Sequence, residues 1–358
     1  MDRWVWLCSI SLAVTTATTT AQSPAEPHLA DRSLVRDAIS IISKHAMGSE
    51  RVDWPSVERE LVQTVTSIDS AHAAVAAAVA KLNDPHARFT PPPRPAPAQP
   101  SAATPASRSS PASSPTAPET PTPSASARPV VPQRPEGRLL DDGVAYLVVP
   151  GCSAPDVDGL REYAAACLQT ISNLCAHEPR AWLIDLRLNG GGNLWPMLLG
   201  LRPVLGDGPH MSMVKGDKVE SRFGVDARGA WIHWEGAAAP EVQLAWGDPA
   251  PASPARISGK VAVLIGPWTM SSGESLAICL RGREGTRTFG ENTAGLTTVT
   301  NTYPLSDGSI LSLPVSRMGD KSGGEVLGAI APAQLIPQGS WPTADDDTAR
   351  AARAWALQ

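Results

Sequence analysis

Phenylalanine and tyrosine are scarce, three of each in 358 residues, although tryptophan reaches 11. Proteins that hold nucleic acid pair stacking aromatics with a basic stripe. Neither is present: 30 Lys and Arg are scattered among 35 Asp and Glu, a net charge of -5, so nucleic acid is not expected as a partner. None of the seven histidines stands in His-x-x-x-His spacing with an acid, so no metal is expected, and no cofactor either. No apolar run reaches the roughly 20 residues of a membrane span. The run from Trp4 to Val14, preceded by Arg3 and followed by small residues up to Ala21, reads instead as a signal peptide cut after Ala21. A secreted or periplasmic protein follows. Its removal leaves Cys152, Cys167, Cys175 and Cys279, an even number compatible with export. Cys167 and Cys175 fall on one expected helix about 12 Å apart, too far for a disulfide.

Large apolar residues are also missing from residues 91–137, where Pro, Ala, Ser and Thr dominate. Such a segment cannot bury a core and reads as a disordered linker. It divides the chain into a signal peptide (1–21), a helical module (28–90), the linker and a core (138–358). Amphipathic patterns in the module predict helices at 34–45, 56–66 and 71–82, with Asp84-Pro85 as a stop. In the core, a strand at 144–149, a helix at 157–176, a strand at 181–186 and a helix near 194–201 lead through an irregular region to a strand at 261–265 and another helix. This alternation implies an α/β fold. Runs at 297–303 and 309–315, separated by Ser306-Asp307-Gly308, read as a β-hairpin.

Two strand-to-helix turns carry the chemistry. The strand Val261-Ala262-Val263-Leu264-Ile265 runs into Gly266-Pro267-Trp268-Thr269-Met270-Ser271-Ser272-Gly273-Glu274, which places Ser271 at a helix N-terminus, where free N–H groups and the helix dipole favour negative charge. Ser271 and Glu274 also fit a simple capping box. The other turn follows Ala181-Trp182-Leu183-Ile184 and reads Asp185-Leu186-Arg187-Leu188-Asn189-Gly190-Gly191-Gly192. Its glycines let backbone amides approach a ligand. The Lys-Ser or Lys-Thr ending of a nucleotide loop is absent, so an oxyanion hole fits better.

Together with Gly290-Glu291-Asn292-Thr293-Ala294-Gly295 and the upstream Leu82-Asn83-Asp84-Pro85-His86-Ala87-Arg88-Phe89, these motifs resemble the serine peptidase family of carboxy-terminal processing proteases and the tricorn core protease. The likeness covers roughly Gly143 to Pro337. It implies a ClpP/crotonase-like β/α spiral core, a Ser271 nucleophile and a peptide or protein substrate. Processing proteases place a lysine base after the Gly-Glu-x-Thr-x-Gly motif, where this chain has Leu296. The tricorn-like branch uses a histidine from an Asp-Gly/Pro-His segment, which points to His86 as general base. The resemblance also implies Glu325, with Asp320 as a rival, as the group orienting that histidine. It further implies the N–H groups of Gly191 and Ser272, with Gly192 as a further candidate, as oxyanion donors, with Asp185, Arg187, Asn189, Glu274 and Thr293 as supports. Many processing proteases carry a PDZ domain where this chain has only the linker. About 45 flexible residues span about 35 to 40 Å, which lets His86 reach Ser271 of its own chain or dock onto a neighbouring protomer in a homo-oligomer. Trp195 and Trp268 flank the two turns as candidates for an apolar pocket or for the core. A non-catalytic binding protein on the same fold and a hydrolase of small esters are the competing readings.

Overall fold

The computed structural model describes residues 29–93, 132–254, 256–339 and 341–358. The signal-peptide expectation and most of the linker expectation lie outside these residues.

Apolar residues at helical spacing build three N-terminal helices: α1 (Leu29–His45), α2 (Trp54–Gln63) and α3 (Ile68–Ala80). Asp53 caps α2 through the Ser56 N–H, and Ser67 caps α3 through the Ser70 N–H, each satisfying a donor the helix itself cannot. The chain then turns through Asp84 and Pro85 into a short strand, β1 (Arg88–Thr90). Beyond the undescribed stretch it resumes at β2 (Glu136–Leu139), so the last two residues of the expected linker are already strand.

The core sheet runs β13-β10-β9-β4-β3-β2, with β3 (Val144–Val148), β4 (Ala181–Asp185), β9 (Val261–Ile265), β10 (Thr286–Gly290) and β13 (Gln334–Leu335). All neighbours pair in parallel except the edge strand β2. The four inner strands are buried on both faces, and side chains alternate between two cores, as strand periodicity requires. Leu147, Ile184, Val263 and Ile265 face the cluster built with α4 (Val157–Cys175), α5 (Leu194–Gly200), α6 (Arg202–Leu205) and α7 (Ser272–Arg281). Val144, Leu183, Ala262 and Leu264 face α8 (Asp347–Ala356), which offers Ala349, Ala352 and Ala356. The fold is thus mixed α/β, with a parallel β/α core and a small helical module before it.

The region expected to be irregular is a meander of β5 (Gly208–Lys215), β6 (Lys218–Asp226), β7 (Gly229–Trp234) and β8 (Glu241–Leu244). Register shifts between Pro209 and Met211, between Met213 and Val214, and between Ala230 and Trp231 break the two-residue alternation that would reveal strands in the sequence. The meander continues through β5 to β12 (Ile310–Asp320), which forms the expected hairpin with β11 (Thr298–Pro304) and also accepts β1 of the helical module.

That hairpin supplies part of the module's own core. Leu305, Leu311 and Leu313 are buried with Leu34, Ile42, Val75 and Val79 of the helices. Each buried leucine contributes about 1.5–3 kcal/mol, which favours docking of the module on the hairpin. Cys152, Cys167, Cys175 and Cys279 are free, and Cys167 and Cys175 share α4 as expected.

Candidate active site

Parallel pairing of β4 with β9 brings the two strand-to-helix turns side by side at the carboxyl ends of the strands, where open parallel sheets place their ligand crevices. The Met270 N–H bonds the Asn189 carbonyl at 2.9 Å, and the Leu186 N–H bonds the Leu264 carbonyl at 2.9 Å. Contact is close enough that a Cβ on Gly191 would lie 2.9 Å from both the Met270 carbonyl oxygen and the Ser271 Cβ. Gly191 also has φ +93, a conformation open to glycine at little cost. Gly191→Ala should therefore both strain and displace the Ser271 turn. We expect kcat to fall about 100-fold and stability by about 1–3 kcal/mol, read from steady-state kinetics and a thermal melt of the same sample.

Ser271 occupies a strained backbone position, φ 52 and ψ -115, which lifts its side chain out of the turn between β9 and α7. The buried Glu274 carboxyl holds this conformation. One of its oxygens accepts the Ser271 N–H at 2.9 Å, and the other accepts the Thr293 hydroxyl at 2.5 Å and the Gly295 N–H at 2.8 Å. Burial raises the Glu274 pKa, opposed by these hydrogen bonds.

Into this turn comes His86. Asp84 accepts the His86 N–H at 2.8 Å, closing the turn after α3, and the ring points away from the helices into the crevice. Its Nε2 lies 2.8 Å from Ser271 Oγ, and its Nδ1 lies 2.9 Å from Thr298 Oγ1. Both residues belong to one chain. Burial holds the imidazole pKa below its ordinary value, aided by Arg88 and opposed by Asp84 and the Thr298 backbone.

The expected orienting carboxylates are elsewhere. Glu325 pairs with Arg317 at 2.9 Å, and Asp320 accepts the N–H groups of Ser322 and Gly324 within its own turn. Arg317 stands opposite Thr298 in the β11–β12 register, so the guanidinium holds Glu325 while the threonine hydroxyl meets the histidine. One threonine among Thr297, Thr298, Thr300 and Thr302 carries no motif, and only strand pairing singles it out. Lys321 donates to the Gly282 carbonyl at the far end of α7, about 15 Å along the helix from Ser271, too far to serve it as a base.

The glycine turn also departs from expectation. Asn189 is fully buried; its amide donates to the Val149 carbonyl at 3.0 Å, and its oxygen accepts the Gly191 N–H at 3.0 Å. That N–H is therefore engaged within the turn. Among the described residues no protein acceptor meets the Gly192 N–H, and Ser272, first in α7, has no intrahelical acceptor for its own. The Ser272 hydroxyl ties the turns together by donating to the Gly192 carbonyl at 2.6 Å.

Beneath them, Arg187 is entirely buried. It donates to Asp185 at 2.6 Å, to the Thr343 carbonyl at 2.9 Å and to Asp346, and Asp185 accepts the Tyr146 hydroxyl at 2.7 Å. Asp185, Arg187, Asn189, Glu274 and Thr293 thus all brace the two turns. Of the tryptophans, Trp195 stacks on Phe223 at 5.3 Å and belongs to the core, whereas Trp268 is 53% exposed beside the Ser271 turn. Among the described residues there is no group of His, Cys, Asp or Glu able to hold a metal.

The model of peptidase family S41 matches residues 143–334, a span that contains both turns, Thr298 and Glu325. The chain belongs to peptidase family S41. Similarity to a nisin-resistance protein of Lactococcus lactis subsp. lactis is 34% identity over 140 residues, 39% of this chain and 41% of that protein; the match spans about two fifths of the curated relative's length. Among solved structures, a lipoprotein from Streptococcus agalactiae superposes with a TM-score of 0.63 at 17% identity, covering 95% of this chain and 99% of that one. The photosystem II D1 C-terminal processing protease gives a TM-score of 0.57 at 14% identity, covering 92% and 97%. These likenesses show a fold shared over most of the chain.

Proposed function

We propose that this S41 family member is a secreted serine endopeptidase in which Ser271 is the nucleophile and His86 the general base. The observation that carries the reading is the 2.8 Å contact between His86 Nε2 and Ser271 Oγ, made across 185 residues of sequence by a strained serine and a desolvated ring. Thr298 Oγ1 accepts the Nδ1–H and leaves Nε2 as the acceptor. Ser271 Oγ then bonds the peptide carbonyl carbon while its proton passes to Nε2. The carbonyl oxygen becomes an oxyanion, held by the Gly192 and Ser272 N–H groups. Collapse breaks the C–N bond as His86 returns the proton to the leaving amine. Water, deprotonated by the same nitrogen, hydrolyses the acyl-enzyme.

Trp268 offers an apolar wall to a substrate side chain. The likeness to a nisin-resistance protein makes nisin a first peptide to try. Export rests on the leader read at residues 1–21; among the described residues no helix is long and apolar enough to cross a membrane.

The test is covalent labelling by a fluorophosphonate probe. Wild type should label, and Ser271→Ala should not. A folded wild type that resists the probe would overturn the reading in favour of a binding protein. The pH profile gives an independent check. Protonated His86 cannot take the serine proton, so kcat/KM should fall as pH drops through the His86 pKa. Because burial lowers that pKa, the acid limb should lie below the ordinary histidine value of about 6.5. A limb above it would contradict a desolvated base.

A further inference from the structure

The base arrives on a separate helical module, so something must set the module's seat to within the tolerance of a proton transfer. Leucine packing gives affinity but tolerates sliding, and β1 is only Arg88–Thr90, paired with Ser312–Ile310 of β12. The Met47 N–H bonds the Pro314 carbonyl of β12 at 2.7 Å, at the far end of α1 from the base; one side-chain contact lies beside β1, where it can fix the register. His72 on α3 places Nε2 2.6 Å from Asp307 Oδ2 at the tip of the β11–β12 hairpin, with both side chains mostly buried, 17% and 19% exposed. The other Asp307 oxygen accepts the Ser309 N–H at 3.0 Å and the Ser309 hydroxyl at 2.5 Å, so the carboxylate is fixed before the histidine meets it. The opposite side of the arrangement is the His72 ring against Phe89, centroids 5.5 Å apart. Phe89 is the middle residue of β1, three positions after His86. His72 therefore touches at once the hairpin that carries Thr298 and the strand that directly follows the base.

We propose that His72 and Asp307 are a positioning pair for the reaction. Their contact sets the seat of β1 on β12 and so holds His86 between Ser271 and Thr298. Neither residue touches the reacting atoms. The inference rests on the Ser271–His86 reading above.

A positioning role moves kcat and leaves substrate binding alone. In the full-length chain, His72→Gln and Asp307→Asn should each lower kcat, and the fluorophosphonate labelling rate at saturating probe, by about 10- to 100-fold, with KM within about twofold. The double variant should be no slower than the slower single one, because the two residues act through one contact. His72→Gln leaves the Asp307–Ser309 turn intact, so it still tests the idea if Asp307→Asn disturbs the hairpin. Unchanged kcat in both singles, or losses that match only the unfolded fraction in a melt, would overturn the pair's role. So would multiplicative losses in the double variant. His86→Ala separates the two levels. If it labels at the wild-type rate, the Ser–His reading fails and this inference falls with it. If it is inert while both latch variants are wild-type-like, only the positioning role is lost.

Discussion

His86→Ala is expected to lower kcat by about 10²- to 10⁴-fold, the usual contribution of a positioned general base, while Ser271→Ala removes fluorophosphonate labelling entirely. The size follows from the surroundings of the contact. Described neighbours offer Ser271 Oγ no second base: Lys321 is at the other end of α7, Leu296 holds the place of the family's lysine, and Glu274 is committed to the Ser271, Thr293 and Gly295 donors. Water can stand in for the missing imidazole only at its own low basicity. Thr298→Val should be much milder. It removes one hydrogen bond to Nδ1, worth about 1–1.5 kcal/mol, hence about tenfold in kcat. An aspartate in that place would also stabilise the imidazolium; a hydroxyl orients the ring without neutralising it. Steady-state kinetics on the three variants decide the matter. A Thr298→Val loss as large as that of His86→Ala would mean that the threonine does more than orient.

Arg187→Met is expected to cost about 3–5 kcal/mol of folding stability, the penalty for stripping the partner from a buried charge. The substitution fills much of the space but strands Asp185, which is 4% exposed, and removes partners of Asp346 and of the Thr343 carbonyl. At about 2–4 °C per kcal/mol for a domain of this size, the melting point should drop by roughly 10 °C. Arg187→Lys should recover only part of this, since an ammonium cannot serve Asp185, Asp346 and Thr343 together as the guanidinium fork does. Urea denaturation monitored by tryptophan fluorescence would measure both. A loss under about 1 kcal/mol for Arg187→Met would show that the network compensates for its own desolvation without the arginine.

The two turns were legible because their signals are local: an apolar strand, then glycines or serines, then an apolar helix. His86 was legible only through the Asp84-Pro85-His86 motif, and its neighbours were not. Thr298 is set by pairing with Arg317 across β11 and β12, and Arg317 in turn draws Glu325 away from the imidazole; both depend on a strand register that no short window of sequence contains. The partner of the Gly191 N–H was hidden for a related reason. Asn189 was recognised as part of the turn, but the choice of its side-chain oxygen to accept the Gly191 N–H is a matter of a few tenths of an ångström. Bulges hid the meander from β5 to β8 by erasing its alternation. The parallel core survived because Val261–Ile265 and Ala181–Asp185 are buried on both faces and read as continuous apolar runs.

The buried arginine links distant parts of the polypeptide. Asp346, which caps α8 through the Ala349 N–H and receives Arg187, lies 159 positions after its partner. During synthesis His86 emerges first, Ser271 much later, and the carboxylate and helix that cover Arg187 later still. An incomplete chain that already carries His86 and Ser271 still lacks this brace under the Asn189–Gly192 turn. Translation order thus places the contact between Arg187 and Asp346 among the last long-range contacts of the chain to form.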